Sequence, residues 1–179
     1  MKTIRTVVPS LLLAALVSTG CWLISGQWVV DYHFATPLHV INSALSKVAV
    51  DLNTVSLYND HKKDLKDVVD LALVGDIHNN GGASTNVEAW IVPAGGTNFV
   101  TASAVRAGGS KLWGPLTVGA GATVKVDWNK SAALFSGRKL LVDEIKGDGV
   151  FDLYVIGSVD PFDFTLTNGV LLAVVSAGK

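Results

Sequence analysis

Cysteine occurs once in 179 residues, which excludes an internal disulfide framework and any zinc cage built on thiolates. Charge is scarce too. Asp, Glu, Lys and Arg make up 16% of the chain, where ordinary soluble domains hold about a quarter. The basic residues are scattered, with Lys62-Lys63 and Arg138-Lys139 the only adjacent pairs. Phosphate backbones are bound by clustered cations, so nucleic acid is excluded as a partner. No Gly-x-Ser-x-Gly elbow offers a hydrolase serine. The four histidines, His33, His39, His61 and His78, lack the His-x-x-x-His spacing of a helical zinc site. Gly95-Gly96 and Gly108-Gly109 lack the Lys-Ser/Thr frame of a phosphate-binding loop. Nothing in the sequence calls for a cofactor. Repeats of fixed period are missing, as is a linker long enough to divide the chain into domains.

The first twenty residues have a clear organisation. Lys2 and Arg5 give a short basic start, and Val7 to Val17 is an apolar run broken only by Pro9 and Ser10. Ser18-Thr19-Gly20 are small, and Cys21 follows at once. Basic start, short apolar run and small residues are the parts of a secretory signal peptide. The run is too short for a hydrocarbon core of about 30 Å unless it continues through Trp22-Leu23-Ile24. Removal of this leader would leave twelve basic residues against fifteen acidic ones.

With the lone thiol placed directly after the small residues, the N-terminus resembles bacterial lipoprotein precursors. Thr19, Gly20 and Cys21 fit their lipobox, and Ser18 departs from it, since Leu or Val is usual there. The resemblance implies cleavage before Cys21, a thioether from Cys21 to diacylglycerol, and acylation of its freed amine. Two or more acyl chains, at about 0.8 kcal/mol per buried CH₂, hold a protein lastingly on a membrane. The expected partner is therefore the membrane, reached through the N-terminal lipid. The family's sorting habit favours the outer membrane of a diderm, because residue 22 is Trp and not Asp. A secreted or periplasmic protein is the alternative.

The rest of the chain alternates. Val69, Leu71, Leu73 and, after a gap at Gly75, Ile77 recur every second residue. Asn79-Asn80-Gly81-Gly82 follows, and Val87, Ala89 and Ile91 alternate with Glu88 and Trp90. A period of two marks half-buried strands, and the pair reads as an antiparallel hairpin needing other strands to cover it. Further strands are expected around Lys47–Leu52, Ala122–Trp128, Phe151–Ile156 and Phe162–Val175. Residues 22–36 form a tether or a first strand. Asn168-Gly169 is either a tight turn or a bulge in one long strand. Helical turns are expected from Val55, and a helix over Asn129–Lys146 weakened by Gly137. Ala94–Gly121, with seven of the eighteen glycines, reads as edge strands and loops. Together these elements predict an all-β domain over residues 37–179, an antiparallel β-sandwich of immunoglobulin-like character with one or two helical inserts.

Three sites stand as expectations. Cys21 carries the lipid. Trp90 and Trp113 would stack on a glycan or other ligand if they shared an exposed face. Asp148, Asp152, Asp160 and Asp163 lie near the ends of the last strands and would hold calcium if they converged. Against that, Asp-Gly and Asp-Pro are ordinary turn dipeptides. The favoured reading is a non-enzymatic cell-envelope lipoprotein whose sandwich serves a structural or binding role toward a protein or glycan. A ligand-binding module using exposed tryptophans comes second, and an envelope hydrolase using paired carboxylates third.

Overall fold

The computed structural model describes residues 26–41, 45, 47–158 and 160–178. Among these residues nine strands form two antiparallel sheets. They are β1 (Gly26–His33), β2 (Leu38–Ile41), β3 (Val48–Asp51), β4 (Leu65–Asn79), β5 (Thr85–Pro93), β6 (Ser110–Val118), β7 (Thr123–Val126), β8 (Val150–Gly157) and β9 (Asp163–Ala177). The first sheet runs β1-β9-β4-β7, with β2 pairing the start of β9 on the same side as β1. The second runs β3-β8-β5-β6. The expected β-sandwich is present, and the stretch after residue 25 is its first strand.

Among the described residues four short α-helices accompany the sheets, where one or two were expected: α1 (Ser56–His61), α2 (Ala102–Gly108), α3 (Trp128–Ala132) and α4 (Arg138–Lys146). The single helix expected over residues 129–146 is two. Gly137 lies against the backbone of Lys111, where a Cβ would meet the carbonyl oxygen at 2.1 Å, so the chain must pass between α3 and α4 as a non-helical link. Helix α2 interrupts the glycine-rich segment that alternation reads only as loops and edges. It lies over the outer face of the second sheet, burying Ala102 and Val105.

β4 and β5 are strands as the alternation predicts, but they do not pair with each other. β4 bonds to β9 and β7, whereas β5 bonds to β6 and β8. The loop from Asn80 to Ser84 carries the chain across the gap between sheets, about 10 Å wide, as an arch. Asn79 holds that arch. It is buried, its Nδ2 donates to the carbonyls of Ala83, Val118 and Gly119, and its Oδ1 accepts from the Gly81 N–H.

The segment from Asp163 to Ala177 is one strand with a bulge, which settles the choice at Asn168-Gly169. Val74 faces Val170 and Asp76 faces Thr167, so β9 carries one residue more than β4 at this point. Asn168 takes a left-handed conformation (φ 54°), and its Nδ2 donates to Asp76. Opposite the bulge, Gly75 has φ 150°, and a Cβ there would come within 3.1 Å of Gly169 Cα.

β7 pairs only residues 75–78 of β4, which leaves the edge of residues 65–74 without a strand partner on that side. The α3–α4 insert covers it. Ser131 Oγ accepts from the Leu73 N–H (2.6 Å), and the Arg138 guanidinium donates to the carbonyls of Val68 and Val69 and to Asp70. Trp128 Nε1 also donates to Asp70. The link between the helices runs along β6, with Ser136 N–H and Gly137 N–H donating to the Leu112 carbonyl. One side of the sandwich is thereby closed by helices, and an unpaired edge that would otherwise recruit another strand is occupied.

Candidate functional site

Cys21 and the expected leader lie outside the described residues. β1 opens at Gly26, five residues further on, and pairs along its whole length with β9. Its outward side chains are Gln27, Val29, Asp31 and His33, and its inward ones include Trp28, Val30 and Tyr32. Trp28 stacks on His61 of α1, with ring centroids 4.6 Å apart and planes within 7°.

The two tryptophans singled out in the sequence stand on opposite faces of the second sheet. Trp113 pairs with Ala89 and points inward, 3% exposed, its indole N–H donating to Ser131. Trp90 is half-buried on the outer face and donates to Glu88 Oε2 at 3.2 Å. No joint stacking platform exists between them. Alternation alone cannot foresee this, because β5 and β6 slip register twice between Val87 and Trp90. Glu88 beside Trp90 is also held by Lys111 at 2.9 Å, with Arg106 at 3.6 Å. Burial pushes the Glu88 carboxyl up, but the bonds from Lys111 and Trp90 and the nearby cations outweigh it and leave it below the usual glutamate value.

The four aspartates do not converge. Asp148 and Asp160 lie off opposite ends of β8, whose eight residues span about 23 Å. Asp148 is exposed and accepts from the Val150 N–H, an ordinary turn contact. Asp152 is buried on the outer face of β8, with Lys47 at 2.7 Å. Only Asp160 and Asp163 share a place, an open cleft beside the Asn80–Ser84 arch that also includes Thr85. Asp163 Oδ1 accepts from Asn80 Nδ2 (2.6 Å) and lies 2.7 Å from His39 Nε2. Those two contacts hold its carboxyl below the usual aspartate value. Two carboxylates fall short of the six to eight oxygens calcium takes. Among the described residues, no group of three or more His, Cys, Asp or Glu is placed to hold a metal.

What the sequence did not single out is a cavity of about 60 Å³ between the sheets. Its lining is apolar apart from backbone and the Trp113 indole, whose N–H is donated to Ser131. Leu73, Gly75, Ile77, Phe164 and Leu166 contribute from the first sheet, and Val87, Ala89, Leu153 and Val155 from the second. Two of these positions carry little or no side chain, Gly75 because of the bulge and Ala89 in β5. Their shortness leaves the sheets incompletely filled. Phe34, Leu38, Val48, Val155 and Leu166 belong to the inward layer yet remain part exposed. Phe34, Leu38 and Val48 lie at the β2–β3 side, opposite the edge that α3 and α4 close. Leu73 on β4, beside the helices, is likewise part exposed where it lines the cavity. If empty, it costs the fold about 1–2 kcal/mol at about 24 cal/mol per Å³. The interrupted alternation at Gly75 was its one visible trace in the sequence.

Among the described residues no helix is long and apolar enough to cross a membrane. No family model matches the sequence, and no curated protein aligns with it significantly.

Proposed function

We propose that this chain is a cell-envelope lipoprotein, anchored by acylated Cys21, whose β-sandwich has a non-enzymatic structural or binding role. The observation that carries the reading is the position of the thiol. Cys21 follows a basic start, an apolar run and three small residues, and stands five residues before β1. Five residues span at most about 18 Å, so an anchor at Cys21 keeps the edge strand β1 close to the bilayer. Acyl chains at that point meet lipid without disturbing the sandwich. A tether this short favours a domain that works near the membrane surface, and the outer membrane of a diderm is the favoured location.

The test is membrane fractionation of cells expressing the chain and its Cys21→Ser variant, with carbonate and high-salt washes. The chain is expected in the membrane pellet through both washes, with the variant retaining its leader and running as a larger precursor. Recovery of the wild-type chain in the soluble fraction, at the size left by leader removal, would overturn the anchor and favour a secreted or periplasmic protein. For the binding role, half-exposed Trp90 remains as a surface contact. Trp90→Ala is expected to weaken any glycan or protein interaction by at least tenfold if that face is used.

A further inference from the structure

We infer that the free edge of β1 pairs with the same edge of a second copy of this chain, the two strands running antiparallel about a two-fold axis at Val29. The inference does not rest on an anchor at Cys21. It starts from the sheet edges. Strands β2, β3 and β7 are edge strands of only four residues each. Residues 65–74 of β4 are covered by α3 and α4, and β6 is met at residues 112–114 by the link between those helices. By contrast, β1 is eight residues long and follows β9 without a register shift. Among the described residues, no hydrogen bond reaches its backbone from the side away from β9. It carries no Pro, no Lys and no bulge, the devices that keep such edges apart, so its open donors and acceptors are a template for another strand.

The side chains say which strand fits. Val29, half exposed at the middle of β1, stands beside Val174 of β9 on the outer face of the first sheet, where Leu172 and Val170 continue the aliphatic row. Joined sheets must keep their outer faces on one side, so in an antiparallel pair of identical strands the axis passes through a residue. With Val29 on the axis, Val29 meets its twin, and each Gln27 amide meets the Asp31 carboxylate of the second copy. An axis at Asp31 would set two carboxylates against each other, and one at Val30 would set Val29 against Asp31. One register is therefore self-complementary, and a foreign strand would match it only by repeating its pattern.

Cells expressing the full chain are oxidised with copper phenanthroline, and the disulfide-linked peptides are mapped. Only links at an introduced position count, which sets aside any through Cys21. Val29→Cys is expected to give a dimer joined at residue 29, because facing Cα atoms lie about 4.5–5.5 Å apart, within disulfide reach. Gln27→Cys and Asp31→Cys are each expected to give less than a fifth of that yield alone, since copies of either position lie about 14 Å apart. Co-expressed, those two chains are expected to join each other. Val69→Cys, about as exposed as Val29 but on β4, is expected to stay monomeric. Adding Val29→Lys to the co-expressed pair puts like charges on the axis and is expected to cut their dimer at least fivefold, with the urea midpoint unchanged. A Val29→Cys chain that stays monomeric, or that links to a different protein, would overturn the proposal. So would Val69→Cys or Asp31→Cys joining itself as readily as Val29→Cys does.

Discussion

Two buried polar side chains, Asn79 and Ser131, do at single positions what the strands cannot do for themselves. Asn79 is 1% exposed and satisfies three carbonyls and one amide around the arch. Asn79→Ala strands several of these groups and is expected to cost about 2–4 kcal/mol in urea unfolding. Asn79→Asp, which turns a carboxylate toward carbonyl oxygens, is expected to cost more. Glu88 offers a test in pH. Its carboxyl lies below the ordinary value of 4.5 in the folded chain, despite the burial that opposes it. Its contribution is therefore fully present above 4.5 and is lost as pH falls through the lower folded value. Stability of the wild type should fall more steeply below pH 4.5 than that of Glu88→Gln, with the two curves converging in acid. Parallel curves would contradict the assignment. Neither residue was legible as a hub. Asn79 reads as a turn former beside Asn80 and Gly81, and Ser131 as one more polar residue on a short helix.

Strands β4 and β9 are the elements that organise the domain, each fifteen residues long and each serving more than one neighbour. Their alternation was readable because a pleated strand shows its two faces directly as a period of two. Pairing was not readable. Alternation is the same whether a strand bonds to the next one in sequence or to one a hundred residues away, and a five-residue loop can close a hairpin or cross between sheets. Bulges blurred the faces further. Val68 and Leu71 are both buried while Val69 is 45% exposed, since the ladder slips between Val68 and Asp70. The central bulge is open to test. Asn168→Val places a β-branched side chain in the left-handed region and loses the bond to Asp76. About 1–3 kcal/mol of destabilisation is expected, whereas Asn168→Gly should change stability by less than about 1 kcal/mol. At the covered edge, Ser131→Ala removes the acceptor of the Leu73 N–H. Amide exchange at Leu73 is expected to accelerate far more than at Leu71, whose amide contacts the Asp70 carboxylate. Equal changes at both would mean that α3 does not protect the edge.

At the scale of the whole molecule, the helices cover one side of a sandwich whose apolar interior holds a small cavity, and the proposed cleavage site before Cys21 lies a few residues before β1. Sandwich architecture was legible because several alternating segments cannot bury their apolar faces alone. The candidate sites were less so. Convergence of Asp148, Asp152, Asp160 and Asp163, or of Trp90 and Trp113, depends on which strand ends meet and which faces align, and a linear sequence holds neither. The proposed anchor is different in kind, since it needs no fold to be read. It depends on the order of residues around one thiol. The mass of the protein isolated from its native membrane tests it most directly. Expected is a chain beginning at residue 21 that is heavier than its sequence by a diacylglyceryl group and an amide-linked acyl chain, with both additions on the N-terminal peptide. A chain beginning elsewhere, or residue 21 carrying an unmodified thiol, would contradict it.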